Sequence, residues 1–186
     1  KTVQQHPNIR VITGAEVRRT TGTFGCFRSV ITEPTGSQVL EHGALIVATG
    51  AVEYHGNAYH LGAHPKIVTL LELEKRLREE PDLLRRCNSV VFISCVGPWD
   101  ENPKVRWRCS RVCCDGILRN ALRIRQANAQ AQVNVLVRET MTVGNREKFY
   151  TEVRRQGAIF TRFDPSNKPE VNVDGDTVRV TWYDPA

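Results

Sequence analysis

Residues 89–137 read SVVFISCVGPWDENPKVRWRCSRVCCDGILRNALRIRQANAQAQVNVLV, and this stretch decides the fold. Val90 to Ile93 is a short, uninterrupted apolar run, as in a strand buried on both faces. Ser110 to Ala127 carries Ile117, Leu118, Ala121, Leu122 and Ile124 at helical spacing, and Val133 to Val137 is a second apolar run. Strand, helix and strand at this spacing predict a parallel sheet with a crossover helix. The pattern continues downstream. Arg146 to Gln156 reads as a helix stopped by Gly157, Ala158 to Phe160 as a third strand, and Val171–Val173 with Val178–Trp182 as a hairpin around Asp174-Gly175.

Upstream, the predicted elements are β-rich. Asn8–Thr13 is expected to be a strand turned by Gly14. Phe27–Thr32 is expected to be a strand ended by Pro34-Thr35-Gly36-Ser37, and the run between Gly43 and Gly50 a buried strand. Residues 53–66, rich in Tyr, His, Gly and Pro, are expected to be a linker. A helix is predicted from Thr69 to Glu80, with Thr69 as cap and Glu72/Arg76 and Glu74/Arg78 as i,i+4 pairs. The expected domains are 1–52, a β segment; 53–66, a linker; and 67–186, a Rossmann-like, cysteine-containing domain of the α/β class.

The 186 residues are 40% hydrophobic and 25% charged, which excludes wholesale disorder. No run of side chains reaches the length of a membrane span, and the polar start is not a signal peptide. A cytoplasmic location is therefore expected. The first residue is Lys, which points to a piece of a longer protein. The net charge of +6 admits an anionic partner, but the basic residues are dispersed and nucleic acid is not the expected one. The local excess comprises Lys104, Arg106, Arg108, Arg111, Arg119, Arg123 and Arg125.

Four of the six cysteines, Cys95, Cys109, Cys113 and Cys114, fall within 20 residues. Cys95 follows a predicted parallel strand, where ligands bind in open α/β sheets. The other three lie at the start of the next helix, whose free N–H groups favour thiolates. Cys109 and Cys113 can share a helical face, whereas Cys114 stands about 100° from Cys113, so all four converge only if the first turn is irregular. Such thiolates can hold a [4Fe–4S] cluster or a Zn²⁺ ion. The spacing C-x13-C-x3-C-C matches neither zinc-finger pairs nor a bacterial ferredoxin run, and buried structural cysteines or a dithiol pair remain open from spacing alone. A relaxed disulfide between the adjacent Cys113 and Cys114 is disfavoured by bridge geometry. Cys26 and Cys87 stand outside the pattern. His55, His60 and His64 are read as exposed loop residues rather than metal ligands. No Ser/His/Asp set and no P-loop occurs.

The segment Val91-Phe92-Ile93-Ser94-Cys95-Val96-Gly97, followed by Cys109-Ser110-Arg111-Val112-Cys113-Cys114, resembles the A-type subunit family of heterodisulfide reductase, which are flavin and iron–sulfur proteins. His6-Pro7-Asn8-Ile9, Gly22-Thr23-Phe24-Gly25, Val47-Ala48-Thr49-Gly50-Ala51, Leu71-Glu72-Leu73-Glu74 and Glu147-Lys148-Phe149-Tyr150 follow in that family's order. The resemblance implies a thioredoxin-reductase-like module in which a flavin domain is interrupted by a domain resembling a pyridine-nucleotide domain. It implies that 1–52 is a late part of the flavin domain, with Thr49 and Gly50 beside FAD. It also implies that Cys95, Cys109, Cys113 and Cys114 are ligands of a [4Fe–4S] cluster near the flavin. The partners would be the rest of the flavoprotein chain and other iron–sulfur electron-transfer subunits.

The chain departs from the family at Pro98-Trp99, at Arg108 and over Glu139–Gly144. No Gly-x-Gly-x-x-Gly is present, so the flavin site is expected to be incomplete and the isolated fragment to retain no FAD and no activity alone. Gly97 stands alone where a nicotinamide-binding motif would supply three glycines. The competing expectation is a non-enzymatic, zinc-stabilised α/β interaction domain with a basic face. It accounts for the charge and the cysteines but not for the family order.

Overall fold

The computed structural model describes residues 3–50 and 52–184. The chain divides into two compact units, residues 1–51 and 52–186. Ala51 and the terminal residues 185–186 lie outside the described set, as do Lys1 and Thr2.

The first unit is an antiparallel meander of β1 (Glu16–Thr23), β2 (Cys26–Glu33) and β3 (Gly36–His42). Phe24-Gly25 makes a two-residue turn, with Thr23 paired to Cys26 and Gly25 at φ +89°. Among the described residues of this unit only Ser29 is buried. Its Oγ lies 2.8 Å from both Thr20 Oγ1 and His42 Nε2, so a polar knot, rather than an apolar core, joins the three strands. His42 Nδ1 is 2.8 Å from the Ala44 carbonyl. That contact requires an N–H at Nδ1 and leaves Nε2 to accept from Ser29 in the neutral ring.

Two strand expectations fail here. Residues 8–13 and 44–50 form no strand, and Ile46 and Val47 are 87% and 74% exposed. The apolar run 44–48 has the composition of a buried strand, but composition cannot distinguish a strand from an apolar segment that finds no pairing edge. Conversely, β1 and β3 are strands that the sequence does not announce. Their threonines, arginines and glutamate alternate on an open sheet with little burial, so they leave no apolar signature.

The second unit opens with α1 (Leu70–Glu79), capped by Thr69, whose side chain accepts from the Glu72 N–H at 3.2 Å. Glu72 and Arg76 pair at 2.7 Å as expected. Glu74 does not pair with Arg78; it accepts instead from the Asn120 amide at 3.2 Å. The buried Asn120 must be hydrogen-bonded, and its other bond, to the Gly116 carbonyl at 2.9 Å, cannot satisfy it alone.

A short α2 (Leu83–Arg86) leads into β4 (Ser89–Ile93). There follow α3 (Pro98–Glu101), α4 (Cys113–Ala127), β5 (Gln132–Val137), α5 (Arg146–Arg155) and β6 (Ile159–Arg162). β4, β5 and β6 form a parallel sheet in that order, Val90 opposite Val133 and Val135 opposite Phe160. Phe92, Val133, Val135 and Val137 join Ile117, Leu118, Ala121, Ile124 and Val153 in one core. Leu136 is also fully buried, on the other face of β5, so the central strand is covered on both sides. Gly157 ends α5 at φ +90°.

β7 (Glu170–Asp174) and β8 (Thr177–Thr181) form the expected hairpin. Residues 52–66 belong to the second unit. Glu53 accepts from the Leu71 N–H at 3.2 Å, and Lys66 pairs with Asp176 of the β7–β8 turn at 3.0 Å. No helix among the described residues is long and apolar enough to cross a membrane. The mixed α/β class, the parallel sheet and the terminal hairpin are as the sequence predicts.

Candidate functional site: thiols at the carboxyl ends of two parallel strands

β4 and β5 run side by side and end together, with the Ser94 N–H donating to Leu136 O at 2.9 Å. Cys95 follows at once, in the left-handed region at φ +62°. Left-handed backbone is costly for a side chain bearing a Cβ and persists only where the surroundings impose it. Three bonds impose it here. The buried Ser94 hydroxyl is 3.3 Å from Cys95 Sγ, the Cys95 thiol donates to Glu139 O at 3.9 Å, and the Trp99 indole N–H donates to Cys95 O at 2.9 Å.

Cys113 and Cys114 are the first two residues of α4, and no side chain caps that end. The Cys114 N–H of the first turn is directed at the Cys113 sulfur. Cys114 is buried, and its sulfur lies 4.0 Å from the same Glu139 carbonyl that Cys95 contacts. Cys113 is held by the Cys114 thiol, by the Ser110 hydroxyl at 3.9 Å and by the backbone N–H of Cys95. These donors stabilise its thiolate and lower its pKa to about 6, with the Cys114 thiol the largest cause and burial opposing. Cys114, the proton-bearing partner, is pushed up, first by Cys113 and then by burial. The structure therefore brings Cys95 and Cys114 to one carbonyl and links Cys113 to both of them.

Cys109 sits in the loop before α4. Its sulfur accepts from the Arg111 N–H at 3.3 Å, and Arg111 itself lies at φ +59°. The helix begins at Cys113 rather than at Ser110, so Cys109 and Cys113 do not share a helical face. Residues 109–112 approach the helix irregularly, while Cys113 and Cys114 both lie within the regular helix. No group of three or more His, Cys, Asp or Glu among the described residues is spaced to hold a metal ion.

Beside the thiols, Gly97 and Trp99 fill the start of the α3 turn. A Cβ on Gly97 would stand 2.3 Å from the Trp99 ring. Asp100 accepts from the Gly97 N–H at 2.9 Å and pairs with Lys168 at 2.7 Å, its side chain 9% exposed. Ser94, Ser110, Trp99 and the Glu139 carbonyl are parts of the site that sequence reasoning misses. The serines flank cysteines, and that adjacency is the one signal that could have found them. A backbone carbonyl contributed from the loop after β5 leaves no trace in a sequence.

The remaining candidates lie elsewhere. Thr49 and Gly50 are exposed in irregular chain of the first unit, Gly50 at φ +69°. Cys26 is exposed, and the Cys87 thiol is raised by burial. His55 and His60 are exposed as expected, but His64 is buried, its Nδ1 accepting from the Lys66 N–H at 3.2 Å. His60 and His64 are not on a helix together.

No family model matches the chain. It is 32% identical over 144 residues to an iron–sulfur A-type subunit of CoB–CoM heterodisulfide reductase from Methanopyrus kandleri, which covers 68% of this chain and 21% of that protein. It is 30% identical over 167 residues to the A-type subunit of the H2:CoB-CoM heterodisulfide,ferredoxin reductase of Methanothermobacter thermautotrophicus, covering 78% of this chain and 25% of that protein. A third relative is the A-type subunit of the ferredoxin/F420H2-dependent CoB-CoM heterodisulfide reductase of Methanosarcina acetivorans, 29% identical over 66% of this chain and 17% of that protein. Among solved structures, a bacillithiol disulfide reductase from Bacillus cereus aligns with 91% of this chain and 47% of its own, at a TM-score of 0.34 and 14% identity. The chain spans a quarter or less of the length of the three curated relatives. In sequence it is a homologue of a segment of the heterodisulfide reductase A-type subunit.

Proposed function

We propose that this chain is an electron-transfer segment of a flavin- and iron–sulfur-dependent oxidoreductase, in which Cys95, Cys109, Cys113 and Cys114 hold a [4Fe–4S] cluster. The observation that carries the reading is the grouping of Cys95 and Cys114 at the Glu139 carbonyl, with Cys113 bonded to the Cys114 thiol and to the Cys95 N–H, beyond the ends of β4 and β5 and at the start of α4. The donor set fits such a cluster chemically. It comprises four thiols, one of which has its pKa lowered to about 6, beside an uncapped helix N-terminus. Since no three such side chains among the described residues are spaced for a metal, the thiols must draw together on binding, Cys109 included. Its sulfur accepts from the backbone N–H of Arg111, on a loop with no regular structure.

When bound, the cluster supplies one-electron transfer. The chain's own residues position and tune it. The N–H groups of Cys95, Cys114 and Met141 and the Ser110 hydroxyl point at the sulfurs, and hydrogen bonds to cluster thiolates raise the reduction potential. No side chain is assigned as an acid or base. FAD belongs to the complete protein in this reading. Residues 1–52 form a partial flavin-domain segment with Thr49 and Gly50 near the cofactor, 53–66 connect, and 67–186 form the cluster-bearing domain. The relatives' names, as A-type subunits, imply other subunits, and iron–sulfur electron-transfer subunits among them are the partners in this reading.

Four single Cys→Ser variants, reconstituted with iron and sulfide, test the site. Each is expected to lose the broad visible absorbance of the cluster, while Cys26→Ser and Cys87→Ser keep it. Full absorbance in any of the four would remove that residue from the site.

A further inference from the structure

The segment 102–112 carries Lys104, Arg106, Arg108 and Arg111 and no carboxylate, so four positive charges of a net +6 lie on eleven residues. Several other cations of this unit are paired with carboxylates. Arg76 is paired with Glu72, Arg86 with Glu80, Arg119 and Arg146 with Asp115, and Arg162 with Glu139. The four loop cations have no carboxylate partner among the described residues.

The neighbouring acids are committed to other tasks. Asp100 is paired with Lys168, Glu101 accepts from the Asn57 N–H, and Asp115 is taken by its two arginines. The charge is therefore not an incidental excess that nearby acids screen.

The loop is also shaped. The Asn102 N–H donates to Pro98 O at 2.9 Å, and the Val105 N–H donates to Asn102 O at 2.9 Å. The Lys104 N–H donates to Asn102 Oδ1 at 3.1 Å. Beyond them Lys104, Arg106 and Arg108 alternate with Val105, Trp107 and Cys109. The cations are exposed, whereas Trp107 is half-buried under the Arg138 guanidinium, 5.0 Å from the ring centroid. Anchoring Trp107 holds Arg106 and Arg108 in a cationic ridge that runs directly into Cys109.

We infer that this ridge, Lys104–Arg111, is a docking surface for the acidic face of an electron-carrier protein. The inference rests on the electron-transfer reading of the adjoining cysteines, since a partner seated on the ridge lies beside Cys109. Charge complementarity of this kind steers encounter and fixes register. A nucleic acid is the poorer fit. Single strands use exposed aromatic platforms between the cations, and the aromatic here is occupied by Arg138.

The test uses the full chain and a strongly acidic plant-type [2Fe–2S] ferredoxin as the probe, with affinity measured by calorimetry. Arg106→Glu/Arg108→Glu is expected to weaken binding at least about tenfold at about 50 mM salt, the difference shrinking toward about 500 mM. Lys104→Gln/Arg106→Gln provides a milder second variant whose effect should be intermediate, and circular dichroism checks that both fold. Equal affinity in wild type and variants would overturn the proposal, as would tighter binding of a single-stranded oligonucleotide than of the acidic protein. Iron and sulfide content, read on the same samples, separates the two claims. Unchanged content with lost affinity supports the ridge. Ridge-dependent docking by a chain that loads no cluster even after reconstitution would overturn the electron-carrier assignment.

Discussion

The Trp99 indole donates to the Cys95 carbonyl at 2.9 Å, and the same ring covers Gly97 so closely that a Cβ there would stand 2.3 Å away. The Pro98-Trp99 departure from the family pattern is therefore a structural element. The indole holds the left-handed Cys95 and occupies the space over the only glycine of the β4 turn. Gly97 itself is extended, at φ −178°, so contact with the ring and not backbone strain demands the glycine. Gly97→Ala is expected to destabilise the chain by about 1–3 kcal/mol through overpacking, and by much less in a Trp99→Ala background. Equal costs in both backgrounds, measured by urea unfolding, would show that the ring is not the obstacle.

Asp100 and Lys168 form the least exposed ion pair of the second unit, the carboxylate side chain 9% and the lysine 35% exposed. Lys168→Met leaves a largely buried carboxylate with the Gly97 N–H as its main partner. The expected loss is about 3 kcal/mol, and Asp100→Asn/Lys168→Met should recover part of it. A loss below about 1 kcal/mol for Lys168→Met would mean that solvent screens the pair.

In the metal-free chain, Cys113 is expected to react first with iodoacetamide. The thiolate is the nucleophile, and its lowered pKa places half-maximal rate near pH 6, with the rate falling below that pH as the thiol is protonated. Cys114→Ala removes the largest stabilising donor and should move the profile upward. Peptide mapping of the alkylated sites reads both outcomes. A profile centred near pH 8.5, that of an ordinary thiol, would contradict the arrangement.

The β7–β8 turn is tied to the 64–66 segment by Lys66 and Asp176. Lys66 holds the Asp176 carboxyl below its usual range. A carboxyl with a depressed folded-state pKa adds stability above its unfolded value near 3.9, and that stability is lost as pH falls through the folded value. Hydrogen exchange of the hairpin amides should therefore accelerate locally, relative to β4–β6, only below about pH 4. Lys66→Ala should remove that pH dependence, whereas a pH dependence that survives the substitution would point to another group.

Much of the second unit is legible in the sequence because both signals are strong there. β5 is a continuous apolar run, and α4 has a clean helical stripe with Ile117, Ala121 and Ile124 buried. The first unit is not legible in this way. β1 buries nothing, so its alternation carries no contrast, while Ile46 and Val47 are apolar and exposed. At the site, the cysteines declare themselves by clustering. What gathers them does not: the Glu139 carbonyl that Cys95 and Cys114 contact comes from the loop after β5, and the positive φ of Cys95 is imposed by neighbours rather than encoded by a glycine. The late start of α4 is hidden because Ser110 looks like a helix cap. Its hydroxyl instead serves Cys113 and the Val112 N–H.

Anaerobic iron, sulfide and zinc analysis of the chain, with Cys109→Ser in parallel, tests the central claim most directly. About four iron and four sulfide per chain, lost in the variant, is the predicted result. One zinc per chain without sulfide, or iron content untouched by the Cys109 substitution, would contradict it.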